Sequence, residues 1–219
     1  MANIGAIFDC DGVLIDSTAA WIHAEARVAD LGNIELSAAD ADFLNACTVE
    51  EAARWFHNER GVFESEEAVV RTIDEFMVDF YGAQAEALPG AIDFVRSLSA
   101  AGVPLAVVSS SPTRYLELGL EHCGLAPYFD YVVSSEAMGM TKREPDVFKH
   151  ALDLLGTDAA ATWVFDDSYY ALETARSLGL RTIGVYSNDV SGAHEQLAAR
   201  AEQVIEGLGE FAPESLLNA

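Results

Sequence analysis

The sequence predicts an α/β fold in which a parallel sheet carries helices on both faces and a purely helical segment interrupts the chain after its first strand. Three observations lead there. From Leu88 onward, short β-rich runs alternate with helical patterns, as in strands joined by helical crossovers. Residues 4–8 form one more buried-strand run, far upstream of the others. The stretch between them repeats its apolar residues only at helical spacing.

Taken in order, the first strand is 4–8, Ile4-Gly5-Ala6-Ile7-Phe8. Helical spacing then links Trp21, Ala24, Val28 and Leu31, and later Val69, Ile73, Phe76, Met77 and Phe80. Leu14 to Thr18 and Leu88-Pro89-Gly90 punctuate the ends of this stretch. Residues 17–87 are therefore expected to form a helical cap, and 1–16 with 88–219 the sheet core, joined at a hinge of two adjacent chain segments. The core then alternates helix 91–100, strand 105–108, helix 113–122, strand 131–133, helix 146–155, strand 162–165, helix 171–178 and strand 181–186, with 203–205 a short edge strand. Gly102 and Gly124 stand just past two of these helices as stop signals. The expected architecture is a Rossmann-like core with an inserted cap.

At 219 residues and 51% hydrophobic content the chain can bury a sizeable core, which argues against disorder as its main state. Cys10, Cys47 and Cys123 cannot pair completely and lack metal-ligand spacing, so they read as small buried hydrophobes. The start, Met1 to Phe8, carries no basic leader, and no later apolar run reaches membrane-spanning length; a cytoplasmic protein is expected. A net charge of -24 argues against nucleic acid and anionic membranes as partners, because no basic surface is available to phosphates. It also repels a phosphorylated substrate. Any anion site must then be assembled locally from scarce cations, helix N-termini or a bound metal, and the chain has only two lysines, Lys142 and Lys149. The acid excess itself has two open readings, adaptation to salt and genomic composition.

Ligands of open α/β sheets collect beyond the carboxyl ends of the strands, so polar residues there are compared as a set. Asp9 and Asp11 follow the first strand, Ser109 the second, Asp166 and Asp167 the strand that begins near Thr162, and Lys142 lies in a loop just before a helix. Singly, each has an ordinary account. Ser109 to Ser111 before Pro112 reads as a helix N-cap, Asp166-Asp167 as another cap, and both lysines as solvated. Jointly, crowded carboxylates call for a cation, while a hydroxyl and an ammonium suit phosphate oxygens.

These residues fall into four ordered motifs: Phe8-Asp9-Cys10-Asp11-Gly12-Val13-Leu14, Val107-Val108-Ser109-Ser110, Lys142 with Pro145-Asp146 and Phe148, and Val164-Phe165-Asp166-Asp167-Ser168. In them the chain resembles the haloacid dehalogenase-like hydrolase superfamily, in the branch with a helical cap after the first strand, which includes β-phosphoglucomutase and many small-metabolite phosphatases. The resemblance implies that Asp9 attacks phosphorus and that Asp11 protonates the leaving oxygen, then activates water. It implies Mg2+ held by the Asp9 carboxylate, the Asp11 backbone carbonyl and Asp167, with Asp166 as ligand or behind it. Ser109 and Lys142 would bind the phosphoryl oxygens. Lys149 keeps its solvated reading.

Departures from the family pattern narrow the reaction. Arg143 and Glu144 follow Lys142 where proline is usual, though Lys142 keeps its spacing to Pro145-Asp146. Trp21 occupies a position where the family often has histidine, and His23 comes two residues later. No lysine lies in 17–87, which argues against Schiff-base chemistry, and an acid at Asp11 favours oxygen leaving groups over halide. A phosphosugar mutase needs cationic cap groups, and the cap offers only Arg27, Arg54, Arg60 and Arg71. The expectation is a Mg2+-dependent phosphatase of a small phosphorylated metabolite, with sugar phosphates first; a β-phosphoglucomutase-like mutase and a noncatalytic phosphoacceptor are the alternatives. Specificity contacts are expected from Trp21, His23 and the turn Asn45-Ala46-Cys47-Thr48 in the cap. Capping by Thr48 ahead of Glu50-Glu51 accounts for that turn equally well, and Trp21, Trp55 and Phe56 also read as cap core.

Overall fold

The computed structural model describes residues 4–44, 47–187 and 194–217. Six strands, β1 (Gly5–Phe8), β2 (Leu105–Ser109), β3 (Tyr131–Ser134), β4 (Thr162–Asp166), β5 (Arg181–Val185) and β6 (Gln203–Ile205), form one sheet in the order β3-β2-β1-β4-β5-β6. All neighbouring pairs are parallel. The strand at 203–205 does lie at an edge. β3, at the other edge, leaves Tyr131 and Val132 exposed.

Side chains of the central strands alternate between two apolar layers because successive residues of a strand point to opposite faces. Ala6, Phe8, Leu105, Val107, Trp163 and Phe165 join one layer, with helix α5 (Ala91–Ala100) and helix α6 (Thr113–His122). Ile7, Ala106, Val108 and Val164 join the other, with α7 (Pro145–Leu155) and α8 (Tyr169–Ser177). Phe8 sits opposite Phe165 across the β1–β4 ladder, and their rings stack at 4.8 Å. Register and aromatic packing thus specify the same pairing.

Between β1 and α5 the described chain is helical: α1 (Thr18–Leu31), α2 (Ala38–Leu44), α3 (Val49–Arg54), which runs on into a π-turn at Trp55–Glu59, and α4 (Glu66–Ala83). The expected apolar stripes are found on α1 and α4, with one correction. Leu31 is exposed, because the packed stripe of α1 is completed by Val28 and Ala29 one turn before the helix ends. Trp55 and Phe56 are buried in the shared core, as the core reading expected. The chain leaves and re-enters the sheet region side by side: Leu88 N–H donates to Leu14 O and Asp16 N–H to Glu86 O, each at 2.9 Å. Among the described residues no helix is long and apolar enough to cross a membrane.

Candidate active site

β1 occupies the middle of the sheet, and the strands that flank it continue to opposite sides, so a crevice opens beyond its carboxyl end. A cleft of about 460 Å³ lies there. Asp9, Asp11, Ser109, Lys142 and Asp167 line it from the sheet side, and Thr18, Trp21, Glu25, Thr48 and Ile73 from the helical segment. Four separate chain segments therefore bring the polar residues read from the sequence to one place.

Asp9, the first residue past β1, is buried and accepts through Oδ1 from the Cys10 N–H at 2.7 Å. The same oxygen lies 2.9 Å from Lys142 Nζ, whose other partner, Asp166 Oδ2, is at 2.8 Å. Lys142 is 2% exposed, and burial alone would discharge it; the Asp166 and Asp9 carboxylates outweigh that and hold its pKa well above the usual lysine value. Burial pushes Asp9 upward, Lys142 pulls it back, and Asp166, Asp167 and Asp11 add to the rise. Asp167 is pushed up to about 7, chiefly by desolvation and by Asp166.

One carboxylate oxygen from each of Asp9, Asp166 and Asp167 lies within 4.8 Å of the other two. Hard oxygen donors crowded so closely repel one another unless a cation discharges them, so the set fits a Mg2+ ion on its own chemistry. Gly12 makes room for the Asp167 carboxylate: its φ is +75°, and a Cβ there would collide with Asp167 Oδ2. The Ser187 hydroxyl pins the Gly12 carbonyl at 2.6 Å.

Asp11 is held by hydroxyl groups. Ser17 Oγ donates to its Oδ1 at 2.6 Å, and Tyr81 OH, from α4, donates to the same oxygen. Ser111 Oγ donates to Oδ2 at 2.6 Å, with Ser109 Oγ at 3.4 Å. Trp21 Nε1 in turn donates to Tyr81 OH at 3.1 Å. Burial first, then the Asp11 charge, keeps the Tyr81 phenol well above its ordinary pKa, so it stays a donor.

Some expectations are placed differently. His23 is exposed on α1 and does not line the cleft, because Trp21 and Glu25, on the buried side of the helix, take that position. Asn45 lies outside the described residues. Thr48 lines the cleft and caps α3 in a reciprocal pair with Glu51, at 3.2 and 2.9 Å, so the capping account of that turn holds. Ser109 to Ser111 do not cap α6; Pro112 stands at that position, and the serines turn instead to Asp11 and Ser134. Cys47 is only half-buried and lines the cleft. Lys149 is exposed and pairs with Asp146. Arg143, in the place of the usual proline, stacks on Tyr170 at 4.1 Å while leaving Lys142 buried. Sequence reasoning missed Ser17, Tyr81, Ser111 and Glu25. Ser17 and Ser111 adjoin quoted motifs and had a signal; Tyr81 and Glu25 sit in helical patterns that give none.

The sequence pattern of the haloacid dehalogenase-like hydrolases matches residues 6–185, most of the chain. The chain belongs to that family. Among the relatives of this hydrolase, the protein named Probable phosphatase IndB of Dickeya dadantii is 28% identical over 206 residues, covering 91% of this chain and 87% of its own. Hexitol phosphatase B of Escherichia coli is 26% identical over 184 residues, covering 83% of each chain. The structure of CbbY from Rhodobacter sphaeroides in complex with phosphate superposes over 100% of both chains with a TM-score of 0.84 at 20% identity, a likeness of fold. The hydrolase family thus accounts for the sheet, the helical segment and the order of the four motifs together.

Proposed function

We propose that this hydrolase is a Mg2+-dependent phosphatase that releases phosphate from a small phosphorylated metabolite through an aspartyl phosphate on Asp9. It is a phosphoric monoester hydrolase, in keeping with its family and its phosphatase relatives. A cytoplasmic metabolic role fits this reading. The observation that carries it is the convergence of Asp9, Asp11, Ser109, Lys142 and Asp167 on one cleft floor.

Asp9 keeps Oδ1 on Cys10 N–H and Lys142, so Oδ2 is the oxygen assigned to attack phosphorus. Lys142 has three N–H donors, of which two serve Asp9 and Asp166; the third is assigned with Ser109 Oγ to the phosphoryl oxygens. Asp9, Asp166 and Asp167, with the Asp11 carbonyl, would hold Mg2+, which when bound supplies positive charge against the phosphate oxygens. Asp11 must exchange one of its hydroxyl partners for the leaving oxygen. Once protonated it acts as general acid, and with its proton spent it serves as base toward water. The helical segment acts as the cap that closes over the site and excludes water.

Among the described residues no arginine lines the cleft, which favours hydrolysis over a mutase that must grip a second phosphate. Turnover of a panel of sugar, polyol and aryl phosphates, with Mg2+ and after its removal by chelation, tests the reading. Wild type should release phosphate only with the metal, and Asp9→Asn should lose the activity. Equal release by the two proteins would remove Asp9 from the mechanism.

A further inference from the structure

Glu25 is a charged residue without an internal explanation. α1 places it in the wall of the cleft, one helical turn after Trp21, and it is 9% exposed. Among the described residues it has no hydrogen-bond or ion-pair partner, and burial alone lifts its carboxyl from 4.5 to about 7. Its neighbours on that wall are Trp21, Leu44, Cys47, Val49, Ala52 and Ile73, so Glu25 bears the one formal charge that the helical segment presents to the cleft among the described residues. A buried carboxylate with nothing to accept from costs stability, and a hydrophobic residue would fill such a wall better. Among the described residues no protein donor reaches its oxygens, which open onto the cleft, where a bound ligand can supply one.

The floor of the same cleft is already committed to the phosphoryl group, so Glu25 faces the remainder of the substrate. We propose that Glu25 reads the substrate's hydroxyl groups: its carboxylate accepts hydrogen bonds from the carbon skeleton remote from the phosphate, which makes the substrate a polyhydroxylated phosphate ester, a sugar or polyol phosphate. This inference rests on the phosphatase reading above. Two acceptor oxygens match a vicinal diol, and the aromatic and aliphatic wall around them matches the C–H faces of such a skeleton. Thr18 and Thr48 add hydroxyl partners at the rim.

The test compares wild type, Glu25→Gln and Glu25→Ala on a hexitol phosphate, a hexose phosphate, an amino-sugar phosphate and p-nitrophenyl phosphate, with Mg2+. Both variants should lose roughly 10- to 100-fold in kcat/KM on the polyhydroxylated esters, the value of hydrogen bonds to a charged group, while p-nitrophenyl phosphate stays within about twofold. Equal losses on every ester, or no loss on any, overturn the assignment. So does a wild type that prefers p-nitrophenyl phosphate to all the sugars, or one whose preference for the amino sugar alone disappears in the variants, which would make Glu25 a reader of ammonium. Wild type inert on every ester overturns the phosphatase reading, and the Glu25 assignment with it.

Discussion

Glu25 has a measurable cost apart from any role in binding. Its carboxyl titrates near 4.5 when exposed and at about 7 in the folded protein, so between those values the native state holds a proton that the unfolded chain releases. Stability contributed by that proton is present below 4.5 and is lost as pH rises through 7. Glu25→Gln should therefore be more stable than wild type above pH 7, by on the order of 3 kcal/mol, with the gap closing in acid. Urea unfolding across that range checks it, and a constant gap would show that titration is not the cause. Asp9, Asp11, Ser109, Lys142, Asp166 and Asp167 were legible because each follows a strand or precedes a helix in a recognisable run. Glu25 and Tyr81 were not. Within a helix a buried polar residue looks like its neighbours until the fold shows which side faces the cleft, and the same ambiguity led to His23.

Helices α4 and α6 meet where α6 has glycine. A Cβ on Gly119 would lie 2.7 Å from the Tyr81 ring and 2.9 Å from Ile15, closer than packed atoms approach. Beyond this point Tyr81 stacks on Tyr115 at 5.5 Å, and Arg114 reaches Asp74 at 3.0 Å. Gly119→Ala should destabilise the protein by about 1–3 kcal/mol, the range for overpacking, and lower kcat by moving the Tyr81 hydroxyl from Asp11. Thermal unfolding and steady-state kinetics read the two effects; unchanged values in both would mean that the helices separate freely. The alternation of strands and helices was readable almost residue by residue, since buried parallel strands and amphipathic helices carry opposite periodicities. The approach of α4 to α6 was not, because a glycine inside a helix has no signature of what it lies against.

The whole molecule carries a net charge of -24, and its proposed substrate is an anion. Approach is then uphill until salt shortens the reach of the field. kcat/KM for a phosphate ester should rise with ionic strength at saturating Mg2+; a fall would show that the cleft attracts anions despite the surface. The sequence made the charge plain, but it left the six-strand order to the fold. The side-by-side crossing at Leu14–Leu88 and Asp16–Glu86 has a consequence for descent. A segment whose two ends enter and leave through one doorway can be exchanged, lengthened or rewritten without disturbing the strand ladder. Asp9, Ser109, Lys142 and Asp166 lie outside that doorway, and Glu25, Thr48 and Trp21 lie inside it. Change in what the cleft admits can therefore accumulate on one side while the residues proposed for phosphoryl transfer are kept on the other, provided that Ser17 and Tyr81 of the segment are retained as partners of Asp11.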